Sequence, residues 1–433
     1  MSIDISLKRA GVLAAAVTAL LSGPVQAELT FDEAIRLALQ NDPWQTDNRL
    51  QEEALRERAS AAGALPDPMV RLAMANLPTD TLDLDQENMT QLQFGVSQTF
   101  PRGDSRALSE QRLQLQADAN PWQRAERAAQ LRRMAGRLWL EIYSREAQIR
   151  LINDNRHLFR QLVDVATANY RLGGSRSHDL VRAELELTRL DDRITRLQQE
   201  RDRFYGELAR WLPEQAALQP LADKRPQLRP AIDLAEQLSP ADEQRLLRHP
   251  RIQIIDQQLK VAQQDISLSE QAYSPQFKVD ANYGYRLDSP DGRERADLFT
   301  LAVSFDLPLF PERRQDPLRR ATVKQHEGLR EQRLLALREL RAELYREHAN
   351  WRQLRAREAL FDQRLLRQMG HQTEAAMRAY AADSSDFAEV MRAAIAELDS
   401  RLERIRLTSA RQQSVLNLNY ILANADDLAE STP

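Results

Sequence analysis

There is no cysteine among the 433 residues. That excludes disulfides, thiolate metal sites and a lipid anchor on an N-terminal cysteine. Glycine is scarce at 13 residues, and aromatics make up 6%. Both are low for an all-β protein, whereas abundant Ala, Leu, Arg, Glu and Gln favour helix. Neither sign of charge dominates: 60 basic residues stand against 64 acidic ones, a net charge of −4. The two signs interleave, as in REAQIR. This pattern reads as solvated helix faces with i,i+4 pairs, and no nucleic-acid partner is expected.

Long apolar runs are missing too. Ala10 to Leu21 spans twelve residues, too short to cross a bilayer as a helix. Lys8 and Arg9 precede it and Val25-Gln26-Ala27 follows. Residues 1–27 therefore read as a secretory signal peptide cleaved after Ala27. Beyond Ala27 no stretch reaches transmembrane-helix length, so any membrane role falls to strands or to surface binding.

Catalytic signatures are also absent. The six histidines are scattered, with no HExxH or paired metal spacing, and there is no GxSxG, P-loop or GxGxxG. Neither an enzyme activity, nor a cofactor, nor a metal site is expected. Met69, Met74 and Met89 are soft enough to suggest copper ligands. Met69 and Met74 fall on or beside an expected strand and Met89 in its loop, which favours packing or lipid contact.

What the sequence does contain is a repeat. LQNDPW (39–44) resembles LLRHPR (246–251), setting Pro43 against Pro250 at an offset of 207. The same offset sets Pro68 against Pro275, and LQFGVSQTFP (92–101) against FTLAVSFDLP (299–308). Farther on, NYRLGGSRSHDLVRAE (169–184) lies against AYAADSSDFAEVMRAA (379–394) at an offset of 210. Tyr170 then matches Tyr380, Leu180 matches Val390 and Ala183 matches Ala393. The organisation is a first repeat over 28–211, an irregular proline-rich connector over 212–240, a second repeat over 241–422 and a tail over 423–433.

Each repeat predicts the same elements. A helix comes first (31–62 and 241–273), with Thr30 and Glu33 spaced as a capping box. A strand pair follows: 69–77 with 91–100, and 276–286 with 298–307. In QLQFGVSQTF, Leu92, Phe94 and Val96 share one face, and Gln91, Gln93 and Ser97 the other. Phe277, Val279, Ala281, Tyr283 and Tyr285 alternate with Lys278, Asp280, Asn282 and Gly284. Phe299, Leu301, Val303 and Phe305 repeat the pattern. A long helix then runs over 104–171 or 314–380, roughly 100 Å at 1.5 Å per residue. Its apolar residues recur at threes and fours and call for partner helices. Pro121 should kink or break the first long helix. Return helices over 177–211 and 386–422 end the repeats, so each long helix reverses at the repeated Tyr motif.

Four strands with one lipid-compatible face cannot close a barrel with a lumen, since barrels start at eight. Open sheet edges are not tolerated in lipid. Either the strands belong to small soluble hairpins, or chains pool them. Three chains of four strands would form a twelve-stranded barrel. Gln91, Gln93, Ser97, Asp280, Asn282, Thr300 and Ser304 would line water. Leu92, Phe94, Val96, Phe277, Val279, Phe299, Leu301 and Val303 would face lipid, with Phe277, Tyr283, Tyr285 and Phe299 in aromatic girdles. The rival is a periplasmic coiled-coil adaptor or scaffold. It shares the signal peptide and long helices but leaves the clean strand alternation unexplained.

The duplicated strand-then-proline segments FGVSQTFPRGDSR and LAVSFDLPLF, with the tip pattern YRLGGSRSHDLVRA, resemble the TolC-type outer-membrane efflux proteins over nearly all of the mature chain. FPRGDSR and LPDPM resemble the heavy-metal efflux branch. The resemblance implies a mainly α fold with membrane β: a trimeric duct of long antiparallel coiled-coil helices below a pooled barrel. It implies an outer-membrane channel subunit that extends into the periplasm and meets a periplasmic adaptor and an inner-membrane pump of the RND type. It also implies a periplasmic tip formed by Tyr170, Gly173, Gly174, Asp179, Tyr380, Asp383 and Asp386. There Gly173 and Gly174 permit a tight turn, and Asp383 stands where the family pattern has Gly. Rings of Asp179, Asp383 and Asp386, with Arg171, Arg176 and Arg378 nearby, would gate the tip and select cations. The plainer reading is that Asp386, or Ser384 or Ser385, caps the return helix.

Overall fold

The structure, a computed structural model, describes residues 28–171, 177–230, 238–382 and 384–424. The expected signal peptide and Ala27, the tip residues Gly173, Gly174, Arg176 and Asp383, and most of the C-terminal tail lie outside the described residues.

The first repeat folds as α1 (Phe31–Gln40), α2 (Pro43–Gly63), β1 (Met69–Ala75), β2 (Gln91–Phe100), α3 (Ser105–Ala117), α4 (Asn120–Arg171) and α5 (Ser177–Ala209). A short α6 (Glu214–Ala217) lies in the connector. The second repeat folds as α7 (Pro240–Arg245), α8 (Pro250–Glu270), β3 (Phe277–Tyr285), β4 (Leu298–Phe305), α9 (Gln315–Leu360), α10 (Leu366–Ala381) and α11 (Phe387–Ile421). A π-turn over Phe361–Leu365 joins α9 to α10.

The repeated prolines mark the joints. Pro43 and Pro250 start α2 and α8, where a missing N–H costs nothing and φ is already helical. These starts split the single opening helices expected over 31–62 and 241–273. Pro68 and Pro275 precede strands, and Pro101 and Pro308 follow them. Pro121 occupies the first turn of α4, and the expected 104–171 helix breaks at Asp118–Ala119 just before it. From Ser105 to Tyr170 and from Gln315 to Tyr380 the chain takes the same 65 steps (170 − 105 and 380 − 315). The change of offset from 207 to 210 therefore lies in the link from Pro308 to Gln315, three residues longer than that from Pro101 to Ser105. Thr30 caps α1 by accepting the Glu33 N–H at 3.3 Å. The Glu33 carboxylate reaches Arg36. The complete box forms at α7, between Ser239 and Asp242.

The chain divides into two compact units, each drawing matching pieces from both repeats. One comprises the chain as far as Asp42, Ala128–Leu238 and Leu344–Tyr420. It holds two apolar cores. In the first, Trp139 donates its indole N–H to the Leu29 carbonyl at 3.0 Å, with Phe31 edge-on and Tyr143 stacked. Leu29 also bridges Leu221 of the connector. Tyr205 donates to Glu146 at 3.0 Å and accepts the Leu221 N–H. Burial raises the Glu146 carboxyl above its ordinary range. The second core joins α4, α5, α10 and α11 through Ile152, Phe159, Ala183, Leu190, Val390 and Leu402.

The other unit comprises Pro43–Arg127, Ser239–Glu343 and the chain from Ile421. Its four strands make one antiparallel sheet in the order β1-β2-β3-β4. The helices flanking the strands follow the same order. Asn48 of α2 meets Asn120 at the start of α4; Arg112 of α3 pairs with Asp265 of α8 at 3.3 Å; Arg333 of α9 pairs with Asp256 of α8 at 2.5 Å. Leu318, Leu334 and Leu335 of α9 remain exposed, so this layer is unfinished in a single chain.

Candidate functional site: the sheet and the helix tip

Side chains directly opposite in an antiparallel pair share a face, so register sorts the sheet. Val70, Leu72 and Met74 of β1 stand opposite Val96, Phe94 and Leu92. Those three stand opposite Ala281, Tyr283 and Tyr285 of β3. Ala281 and Tyr283 face Leu301 and Phe299 of β4, and Val279 faces Val303. All eight residues expected to face lipid lie on this one face. It is bare of protein: Leu72 and Phe299 are each 71% exposed and Leu301 64%. Gln98, the polar exception, donates to the Pro66 carbonyl at 2.8 Å near the strand end.

Aromatics bracket the face. Phe100, Phe277 and Phe305 form one row, with the last two rings 5.8 Å apart. Phe94, Tyr283 and Phe299 form the other, with Tyr285 beyond. Aliphatic rows fill the space between. Phe277 to Tyr285 is eight steps, about 27 Å along a strand. At the usual barrel tilt that is roughly 20 Å of height, close to the ~25 Å apolar band of outer-membrane barrels.

The opposite face is polar. Gln93, Ser97 and Thr99 stand against Gly284, Asp280 and Lys278 of β3, Gln91 against Ala75 of β1, and Asn282 and Lys278 against Thr300 and Ser304 of β4. Lys278 pairs with Asp280 at 2.8 Å. Gly95 and Gly284 make room here, because a Cβ would collide with the amides of Asn282 and Gln91. Sequence reasoning missed two features. Arg71 lies on this face, opposite Gly95, and Met69 joins it there opposite Ser97, while Met74 is on the apolar face. The alternation in MVRLAMA was the available signal.

Both ends of the sheet are pinned. Arg102 donates to the Ser274 carbonyl at 2.7 Å and pairs with Asp306, which itself accepts the Gln276 N–H at 2.7 Å. Gly103, at φ +42°, permits that turn. At the far end Arg286 and Arg295 donate to the Asn88 and Asp85 carbonyls, tying the second hairpin loop to the first. β1 and β4 each pair on one side only.

At the helix tip, Tyr170 near the end of α4 is exposed. Tyr380 packs edge-on against Phe387 at 5.9 Å. Asp179 sits in the first turn of α5, 3.1 Å from His178. Asp386 accepts the Glu389 N–H at 2.8 Å and so caps α11. The Ser384 hydroxyl donates to the Ala379 carbonyl. Arg378 pairs with Glu374 one turn back on its own helix. The repeated Ala183 and Ala393 are both buried in the same apolar core. Among the described residues no group of His, Asp or Glu is arranged to hold a metal ion, and no helix is long and apolar enough to cross a membrane.

Residues 243–424, essentially the second repeat, match the family model for outer membrane efflux proteins. No curated protein matches the sequence. Among solved structures, that of CusC superposes with a TM-score of 0.75 at 15% identity, over 92% of this chain and 93% of that one. The Campylobacter jejuni CmeC outer membrane channel gives 0.75 at 10% identity, over 93% and 89%. The Vibrio cholerae outer membrane protein VceC gives 0.71 at 14% identity, over 91% and 96%. At these identities the likeness establishes the fold, and it covers both repeats.

Proposed function

From the match of residues 243–424 to the family model for outer membrane efflux proteins and the fold shared with CusC, we propose that this is a TolC-type outer-membrane efflux protein in which three copies pool their sheets into one twelve-stranded barrel. The duct they form would be the outer-membrane exit of a tripartite efflux system. The chain is an outer-membrane protein that reaches into the periplasm, and its family is non-enzymatic.

The observation that carries the proposal is the sheet. Its apolar face is exposed across all four strands, and both edges are open. In lipid each unpaired edge group costs several kcal/mol, which only closure removes. In water the same face would be an aggregation surface, which counts against the periplasmic scaffold. The helical tip would meet a periplasmic adaptor and, through it, an inner-membrane pump of the RND type. Asp179 and Asp386, with Asp383, would form acidic rings there. Heavy-metal ions are the substrate class to test first, on the FPRGDSR and LPDPM segments.

The test is fractionation with phenotype. The protein should stay with the outer membrane after a high-salt wash and run as a trimer in detergent. Deleting its gene should sensitise cells to metals before dyes or antibiotics. A monomer recovered without detergent would overturn the duct, and sensitivity to dyes alone would overturn the metal assignment.

A further inference from the structure

We propose that Arg71 sets the ion preference of the barrel section: one copy per chain makes a ring of positive charge that favours anions and disfavours cations at that level. The inference rests on the pooled barrel proposed above.

The polar face holds three charges per chain. Lys278 and Asp280 lie two residues apart on β3 and pair at 2.8 Å, so they cancel. Arg71 has no acidic partner among the described residues. Its row reads Arg71, Gly95, Asn282, Thr300 across the four strands. None of the other three is charged, and Gly95 has no side chain to cover the arginine stem, whose Cβ lies 3.6 Å from where a Gly95 side chain would begin. The remaining residues on this face are uncharged: amides, hydroxyls and small side chains, with Met69 and Leu298 at its ends.

Depth makes the charge consequential. The row of Arg71 lies between the Phe94–Tyr283–Phe299 row and the Val96–Ala281–Leu301 row. It is therefore inside the apolar band. Val70 and Leu72, its chain neighbours, face the lipid side. Arginine stays protonated at any physiological pH. An unpaired guanidinium at that depth requires water in front of it, which the polar face of a closed barrel supplies. Because β1 is an edge strand, each Arg71 would also stand beside the seam with the next chain. Rings of Arg or Lys are what anion-preferring pores use.

The absence of cysteine allows a test that does not depend on whether the periplasmic tip is open. Gln93→Cys puts a thiol on the polar face opposite Ala73 and Gly284, diagonal to Arg71 and about 7 Å away. Anionic (sulfonate) and cationic (trimethylammonium) methanethiosulfonates are applied from the outer side, and their rates compared. In Gln93→Cys the anionic reagent should be favoured. Adding Arg71→Gln should lower the anionic-to-cationic rate ratio about fivefold in 10 mM salt and about twofold in 0.15 M salt. Arg71→Lys should keep the ratio and Arg71→Glu should reverse it. Leu301→Cys, on the apolar face, should react with neither reagent. A ratio unmoved by Arg71→Gln in 10 mM salt, in a variant still trimeric, overturns the inference and leaves the barrel standing. A silent Gln93→Cys, or a Leu301→Cys that reacts as fast, overturns the barrel reading itself.

Discussion

At the tip, the observed role of Asp386 and its proposed one can be separated by chemistry. Asp386 accepts the Glu389 N–H, a neutral-geometry role that asparagine fills as well as aspartate. A charge ring needs the carboxylate. Asp386→Ala should therefore destabilise α11 by about 1 kcal/mol, whereas Asp386→Asn should leave stability unchanged. If Asp386 also selects cations, both variants should lower the cation preference of single channels. An unchanged preference in both would leave only the cap. At the base of the sheet Arg102 joins rather than selects. Arg102 holds the first strand–helix junction to the second through Ser274 and Asp306, which accounts for the first arginine in FPRGDSR.

At the scale of elements, each strand has an apolar and a polar face, which the proposed barrel would set against lipid and water. The faces should then differ sharply in what they accept. Leu301→Arg, in mid-band on the apolar face, should cost roughly 2–4 kcal/mol and lower the yield of assembled outer-membrane protein. Thr300→Arg, one residue away on the polar face, should assemble normally. Equal tolerance at both positions, read as heat-resistant oligomer on gels, would count against lipid on that face. Among the long helices, the second carries the π-turn at Phe361–Leu365. There Arg404 grips both oxygens of Asp362 at 2.6 Å and also meets Glu358, which Arg411 holds from the other side. The Arg404 hydrogen bonds keep the Asp362 carboxyl below its ordinary range. Because the two long helices span equal lengths from start to Tyr, this turn is not the source of the changed offset.

For the whole molecule, the decisive fact is that one chain yields one open sheet. β1 and β4 are separated by two strands, about 14 Å at the usual spacing. A disulfide needs Cα atoms within about 7 Å, so none can form between β1 and β4 of one chain. In a pooled barrel those edges meet across chains. A cysteine at Ala73, combined in turn with one at each polar-face position of β4, should give interchain crosslinks for at least one register. The product should be a three-chain species on denaturing gels. Crosslinking of none of the series, with the protein in the outer membrane, would count against closure by neighbouring chains.

Much of this was legible locally. Strand faces follow from a period of two, helix faces from three and four, and joints from proline, because each is a property of a few consecutive residues. The repeat, the eight residues of the shared apolar face and the break before Pro121 all came from such short-range rules. What tertiary structure decided is non-local. It pairs β2 with β3, so that the two repeats share one sheet, and it builds each compact unit from matching pieces of both. It also leaves Arg71 opposite a glycine and, among the described residues, without an acidic partner. Backbone hydrogen bonds are the same for any residue, so no run of sequence announces which distant strand will take them.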